Sequence, residues 1–158
     1  MSGDYSDRML LPRWPVGRRV PTMRGMGMTY LSAKLTRPDG RGPGVRLRFV
    51  VDSGALYSVL PERAWKRLGL RPTRSAEFTL ADGTVIERRV SRCTFAIAGV
   101  AETSPAVLGE AKDLAILGVV TLETLGLMLN PLTREVLPMK LMLATSLGPV
   151  AWRAAPFS

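Results

Sequence analysis

The chain has 158 residues, a net charge of +9 and 46% apolar residues, which suits one domain with a modest core rather than a disordered segment. Histidine is absent and cysteine occurs once, which excludes Ser-His-Asp and Cys-His catalysis, His-bearing and Cys-cluster metal sites, and an intrachain disulfide. No metal and no cofactor are expected, and any chemistry falls to carboxylates, hydroxyls and lysines.

No apolar run approaches the ~20 residues of a membrane span. The N-terminal stretch "MSGDYSDRMLLPRWPVGRRV" lacks an uninterrupted apolar segment of signal-peptide type. The expectation is a cytoplasmic protein with no membrane partner. A pI of about 10.8 brings a nucleic-acid partner into consideration. Neither a zinc-finger spacing, nor an RNP motif, nor a Walker loop accompanies the charge, so it reads as a surface property first.

Residues 1–25 mix Pro, Gly, Arg and Met without periodicity, with Arg8, Arg13, Arg18, Arg19 and Arg24 among them; they read as a basic, loosely ordered extension. The domain proper is expected over 26–143, with a tail over 144–158. Its first strand is "MTYLSAKLT", followed by the turn formers "RPDGRGPG". "VRLRFVVDSGA" alternates and then becomes wholly apolar, as a strand entering an interior does. "LPERAWKRLGL" reads as a short helix, with Pro61 in the first turn, Glu62 at the favourable end of the dipole and Gly69 beyond the last turn. Ala64, Trp65 and Leu68 share one face at 3–4 spacing, which makes Trp65 a core anchor.

"EFTLADGTVIERRV" reads as a hairpin about Asp82-Gly83, the dipeptide favoured in two-residue turns. Glu87-Arg88-Arg89 reads as a solvated strand face that, on a hairpin over a site, biases toward acidic substrates. "CTFAIAGVAETSPAVLG" supplies two further strands, with Cys93 as a small core residue. Asp113 reads as a solvated loop acid. "LAILGVVTLETLGLMLNP" carries an apolar strand to Gly118 and then a short helix closing on Gly126; "REVLPMKLML" is the last strand. About seven strands and two short helices make the fold mainly β.

"FVVDSGALYSVLP" places Asp52, Ser53 and Gly54 between two apolar runs. A surface turn explains the tripeptide, as an Asx-turn, but not flanks that both read as buried strand. The chain also repeats a plan. A strand, Asp52-Ser53-Gly54 and a helix ending "LGL" are matched by a strand, Ile116-Leu117-Gly118 and a second helix ending "LGL". Only the first copy carries a carboxylate at the bend.

"VVDSGA", "VLPERAWKRLGL", "LADGT" and "ILGVVTLETLGLMLNP", in that order, resemble the retropepsin-like aspartic proteases of clan AA, in their short prokaryotic single-domain form. Ser53 stands where Thr is commoner and Asn130 where many relatives have Asp; serine keeps the hydroxyl, and Asn130 lies well past the bend. The resemblance implies a closed β-barrel, half of an acid protease, whose active site forms at a homodimer interface. It implies an aspartic-type endopeptidase acting on peptide or protein substrates, with Asp52 of each chain as the catalytic acid. Ser53, Gly54, Ala55, Ile116, Leu117 and Gly118 would support the loop, and Leu80, Ala81, Asp82, Gly83 and Thr84 would form the flap over the substrate. For Asp82, turn chemistry alone is the plainer role. Two other readings stand beside this one: a non-catalytic dimeric binding module of the same fold, and a basic nucleic-acid-binding protein in which Asp52 is structural.

Overall fold

The computed structural model describes residues 20–25 and 27–140. Among them are ten strands and two short helices. Strand β2 (Met28–Thr36) alternates strictly, with Thr29, Leu31, Ala33 and Leu35 buried and Met28, Ser32 and Lys34 exposed. It pairs antiparallel with β3 (Val45–Val51), Leu31 opposite Phe49 and Leu35 opposite Val45. The period of two therefore points both inner rows at one core. Phe49 meets Phe95 with centroids 5.9 Å apart and planes tilted by 53°. Burying either ring contributes about 1.5–3 kcal/mol, and truncating one to alanine costs about 3–5 kcal/mol.

Beyond β3 come β4 (Ser58–Leu60) and α1 (Glu62–Leu68). Helix α1 buries Ala64, Trp65 and Leu68. The Trp65 indole Nε1 donates to the Gly109 carbonyl at 2.8 Å, so Trp65 is a core anchor with its one polar atom satisfied. The helix ends in a paired closure, Gly69 N–H to Lys66 O and Leu70 N–H to Trp65 O, each 3.0 Å. Pro61 caps this helix from outside rather than sitting in its first turn.

Strand β5 (Arg74–Thr79) pairs antiparallel with β6 (Val85–Ile97). The turn between them corrects the sequence reading. Leu80 and Thr84 close a three-residue loop, Ala81-Asp82-Gly83, rather than a two-residue one. The Asp82 carboxylate takes the Thr84 N–H at 2.9 Å, and Gly83, at φ +85°, supplies the left-handed residue that a three-residue hairpin needs. The two-residue turn falls instead at Ala98-Gly99, with φ +46° and +93°, between β6 and β7 (Val100–Leu108).

The remaining elements are β8 (Ile116–Leu117), α2 (Val119–Thr124), β9 (Leu127–Asn130) and β10 (Glu135–Pro138). Strands β2, β3, β8, β4, β7 and β6 follow one another, and β6 pairs back onto β2 at Lys34–Thr36. The six close a barrel. Two of its seams, β3 with β8 and β4 with β7, are parallel. Strands β9 and β10 form a separate hairpin, whose turn is held by Asn130 Oδ1 accepting from Leu132 and Thr133 N–H at 3.0 and 3.2 Å. An aspartate would accept the same two bonds.

The strand count differs from the seven expected for two reasons. "VIERRV" and "CTFAI" are one continuous 13-residue strand, β6. Strand β4, strand β9 and an additional first strand, β1 (Met23–Gly25), are each four residues or fewer and too short to show periodicity. Strand β1 pairs with the start of β2, and Val20 is buried at 4% exposure; both lie inside the segment whose composition reads as an extension. Residues 141–143, expected to end the last strand, fall outside the described residues with the tail and residues 1–19.

Candidate active site

The parallel seam between β3 and β8 builds the Asp52 loop. Val50 N–H donates to Ala115 O at 2.9 Å and Asp52 N–H to Leu117 O at 3.1 Å, so the strand is held on both sides of Val51 until the acidic residue. The chain then turns. Ala55 N–H donates to Asp52 O at 3.3 Å, and Gly54 N–H donates to Asp52 Oδ1 at 2.8 Å. A Cβ on Gly54 would stand 3.2 Å from that same oxygen, closer than the carboxylate tolerates easily. Asp52, Ser53 and Gly54 are exposed in the single chain. Among the described residues no cation lies within ion-pair distance of Asp52.

The second bend locks beneath the first. Val119 and Val120, the first N–H donors of α2, bond to the carbonyls of Ala55 and Leu56 at 2.9 and 3.1 Å; helix ends leave such donors without intrahelical partners. A Cβ on Gly118 would lie 2.5 Å from the Tyr57 carbonyl carbon and 2.8 Å from Leu56 O, so only glycine permits this approach. Ile116 is half-buried and Leu117 fully buried.

A buried hydroxyl chain that the sequence reading missed ties this together. Gly118 N–H donates to Ser58 Oγ at 3.0 Å; Ser58 Oγ lies 2.7 Å from Thr121 Oγ1, and Ser104 Oγ lies 3.0 Å from the same atom. All three hydroxyls are at most 1% exposed. Among the described residues no buried side-chain nitrogen or oxygen lacks a partner, as a low-dielectric interior requires. Ser58 and Thr121 sit at "YSVLP" and "VVTLE", two polar residues inside apolar runs, and that was the available signal.

Leu80, Ala81, Asp82, Gly83 and Thr84 form the tip of the β5–β6 hairpin and are all exposed. The Thr84 N–H and hydroxyl hold the Asp82 carboxyl below its ordinary value of 3.8. Between hairpin and loop lies an open groove of about 470 Å³, lined by Ala55, Leu56 and Tyr57 on the loop side and Phe78, Leu80 and Ile86 on the hairpin. Asp52 and Ser53 border a second hollow of about 380 Å³, shared with Thr29 and Leu129. Among the described residues no group of three His, Cys, Asp or Glu gathers as metal ligands do, and no helix is long and apolar enough to cross a membrane.

Residues 39–127, more than half of the chain, match the sequence profile of the aspartyl protease family. The chain belongs to that family, and its fold is a closed barrel with two short helices. Among solved structures it is similar to the EIAV protease in complex with the inhibitor HBY-793, at 20% identity and a TM-score of 0.46, covering 84% of this chain and 100% of that one. It is also similar to a retropepsin-like aspartic protease from Rickettsia conorii, at 19% identity and a TM-score of 0.49, covering 74% and 89%. No curated protein matches the chain in sequence.

Proposed function

We propose that the chain is one half of a homodimeric aspartic endopeptidase, with Asp52 of each copy meeting on a two-fold axis. The observation that carries this is the inequality of the two bends. The first presents an exposed Asp52, and the second, Ile116-Leu117-Gly118, packs beneath it with no carboxylate. Hydrolysis by a general acid and a general base needs two such groups, and a second copy supplies the other. The Ser53 hydroxyl, which has no partner among the described residues, bonds across the axis to the other loop. The catalytic unit is assigned to 26–143, with Val20 to Gly25 adding one edge strand.

Two carboxylates held close cannot both ionise readily, so the pair shares one proton. The ionised Asp52 takes a proton from water as the water oxygen bonds to the peptide carbonyl carbon. The protonated one gives its proton to the carbonyl oxygen. The tetrahedral diol then collapses: the carboxyl that took the water's proton gives it to the nitrogen, the other carboxylate takes a proton back from a diol hydroxyl, and the C–N bond breaks to leave acid and amine. Gly54 N–H steadies the carboxylate, and the hairpin 80–84 covers the substrate.

Peptide-library cleavage by the purified chain, set against Asp52→Asn across a pH series, tests the reading. The amide keeps the shape but accepts no proton, so cleavage falls by at least about 10²–10⁴-fold while the assembly stays folded. The wild-type profile is bell-shaped with an acidic optimum. Equal cleavage by both proteins would make Asp52 a turn residue only.

A further inference from the structure

The hairpin's inner face is graded in character. Cross-strand pairs share a face of the sheet, so Arg74 with Val90, Ala76 with Arg88 and Phe78 with Ile86 stand on one side. Phe78 and Ile86 line the groove and Val90 is buried at 1% exposure, so this side is the one turned toward the Asp52 loop. It is apolar near the tip and cationic near the base. Glu87 and Arg89 alternate onto the other side, which splits the charged run seen in the sequence.

The two inner arginines are not equivalent. Arg88 has a carboxylate 3.4 Å away, on Glu110. Arg74 has none within ion-pair distance among the described residues; its Nη2 donates to the Tyr57 hydroxyl at 3.1 Å. Tyr57 in turn stands edge-on to Phe78, with centroids 6.1 Å apart at 73°, and its backbone carbonyl is packed against Gly118. A phenol takes one of the five guanidinium N–H donors and leaves the charge intact. The cation is thus aimed without being neutralised, and its free fork suits a carboxylate.

We propose that Arg74, oriented by the positioning residue Tyr57, selects an acidic side chain in the peptide lying beneath the hairpin. The proposal rests on the peptidase reading and narrows its substrates to peptides that pair a bulky apolar residue with an Asp or Glu toward the hairpin's base. Asp113 is the only acid lining the groove among the described residues, and its Oδ2 already accepts the Glu110 N–H at 2.7 Å.

The test is a randomised peptide library cleaved by the full chain, with products sequenced. Expected is an enrichment of Glu over Gln of about fivefold at one position, as a solvent-facing ion pair allows. It is lost in Arg74→Gln, weakened in Arg74→Lys and Tyr57→Phe, and turned toward Lys in Arg74→Glu, with the thermal transition of each variant recorded. No acidic enrichment, enrichment of Lys or Arg by the wild type, or enrichment unchanged in Arg74→Gln overturns the proposal. A binding arm separates it from the peptidase reading: fluorescence anisotropy with labelled peptides differing only as Glu or Gln. Tighter binding of the Glu peptide, lost in Arg74→Gln, upholds the selection even if no peptide is cleaved. Equal or absent binding ends it.

Discussion

Gly118 is where one methyl group decides the site. A Cβ there would sit 2.5 Å from the Tyr57 carbonyl carbon, and backbone cannot swing aside as a flexible side chain can. Gly118→Ala is expected to lower stability by about 1–3 kcal/mol, the usual cost of overpacking, read as a lower denaturant midpoint at unchanged slope. Cleavage falls further than stability does, because the displaced segment leads straight out of the Asp52 loop. A midpoint equal to wild type would show that the loop yields freely. Cys93 was legible as a core residue from its alternating neighbours; it is wholly buried, and burial pushes its thiol up to about 12. The hydroxyl chain Ser58–Thr121–Ser104 was not legible. A single sequence shows polar residues in apolar runs but not which of them meet across a fold.

At the scale of elements, the turn between β5 and β6 has its own pH limit. Hydrogen bonds to Thr84 depress the Asp82 carboxyl below 3.8, so the ionised form is favoured in the folded hairpin. The turn bond is therefore fully present above 3.8 and is lost as pH falls through the lower folded value. Above 3.8 the turn stays capped. Hydrogen exchange should show Thr84 N–H protected at pH 5 and released at lower pH, with Asp82→Ala unprotected throughout. Equal protection in Asp82→Ala would assign the turn to backbone alone. The first strand gives a second expectation. A chain starting at Val20 sets the reference transition. One starting at Met26 loses Val20 and β1, at a cost of about 1.5–3 kcal/mol for the buried valine, or about 3–12 °C in the transition at about 2–4 °C per kcal/mol for a chain of this size. Identical transitions would show that β1 adds nothing. Helix α1 was legible because seven residues carry a face and a closing glycine. Strands β1, β4 and β9 were not, since three or four residues have no period to read. Asp82-Gly83 misled for a related reason: the dipeptide marks a hairpin, but the loop length is set by the register Thr79–Val85.

At the scale of the whole molecule, one chain offers one carboxylate at the loop, and the apolar side chains beside it are left bare. Leu56 is 57% exposed, Leu114 68% and Leu80 44%, and all three line the one groove. Specific activity is expected to fall on dilution through the dimer dissociation constant, with light scattering reporting the matching change in mass. Full activity from a demonstrated monomer would sink the shared-site proposal. The barrel was expected only through the resemblance that the ordered motifs carry. Its closure was not derivable from local pattern, because the seam that joins Lys34–Thr36 to Thr94–Ala96 is fixed by tertiary pairing alone.

The bond from Asp52 N–H to Leu117 O also sets a time at which the loop can first exist. At about 5–20 residues per second, a ribosome needs about 3–13 s to travel from one residue to the other. Throughout that interval the nascent strand β3 has no β8 beside it, and the Asp52 turn has only its local bonds from the N–H groups of Gly54 and Ala55. The helix donors that fix the carbonyls of Ala55 and Leu56 come later still. In a growing chain the loop thus reaches its full set of bonds only after residues 117–120 have been made.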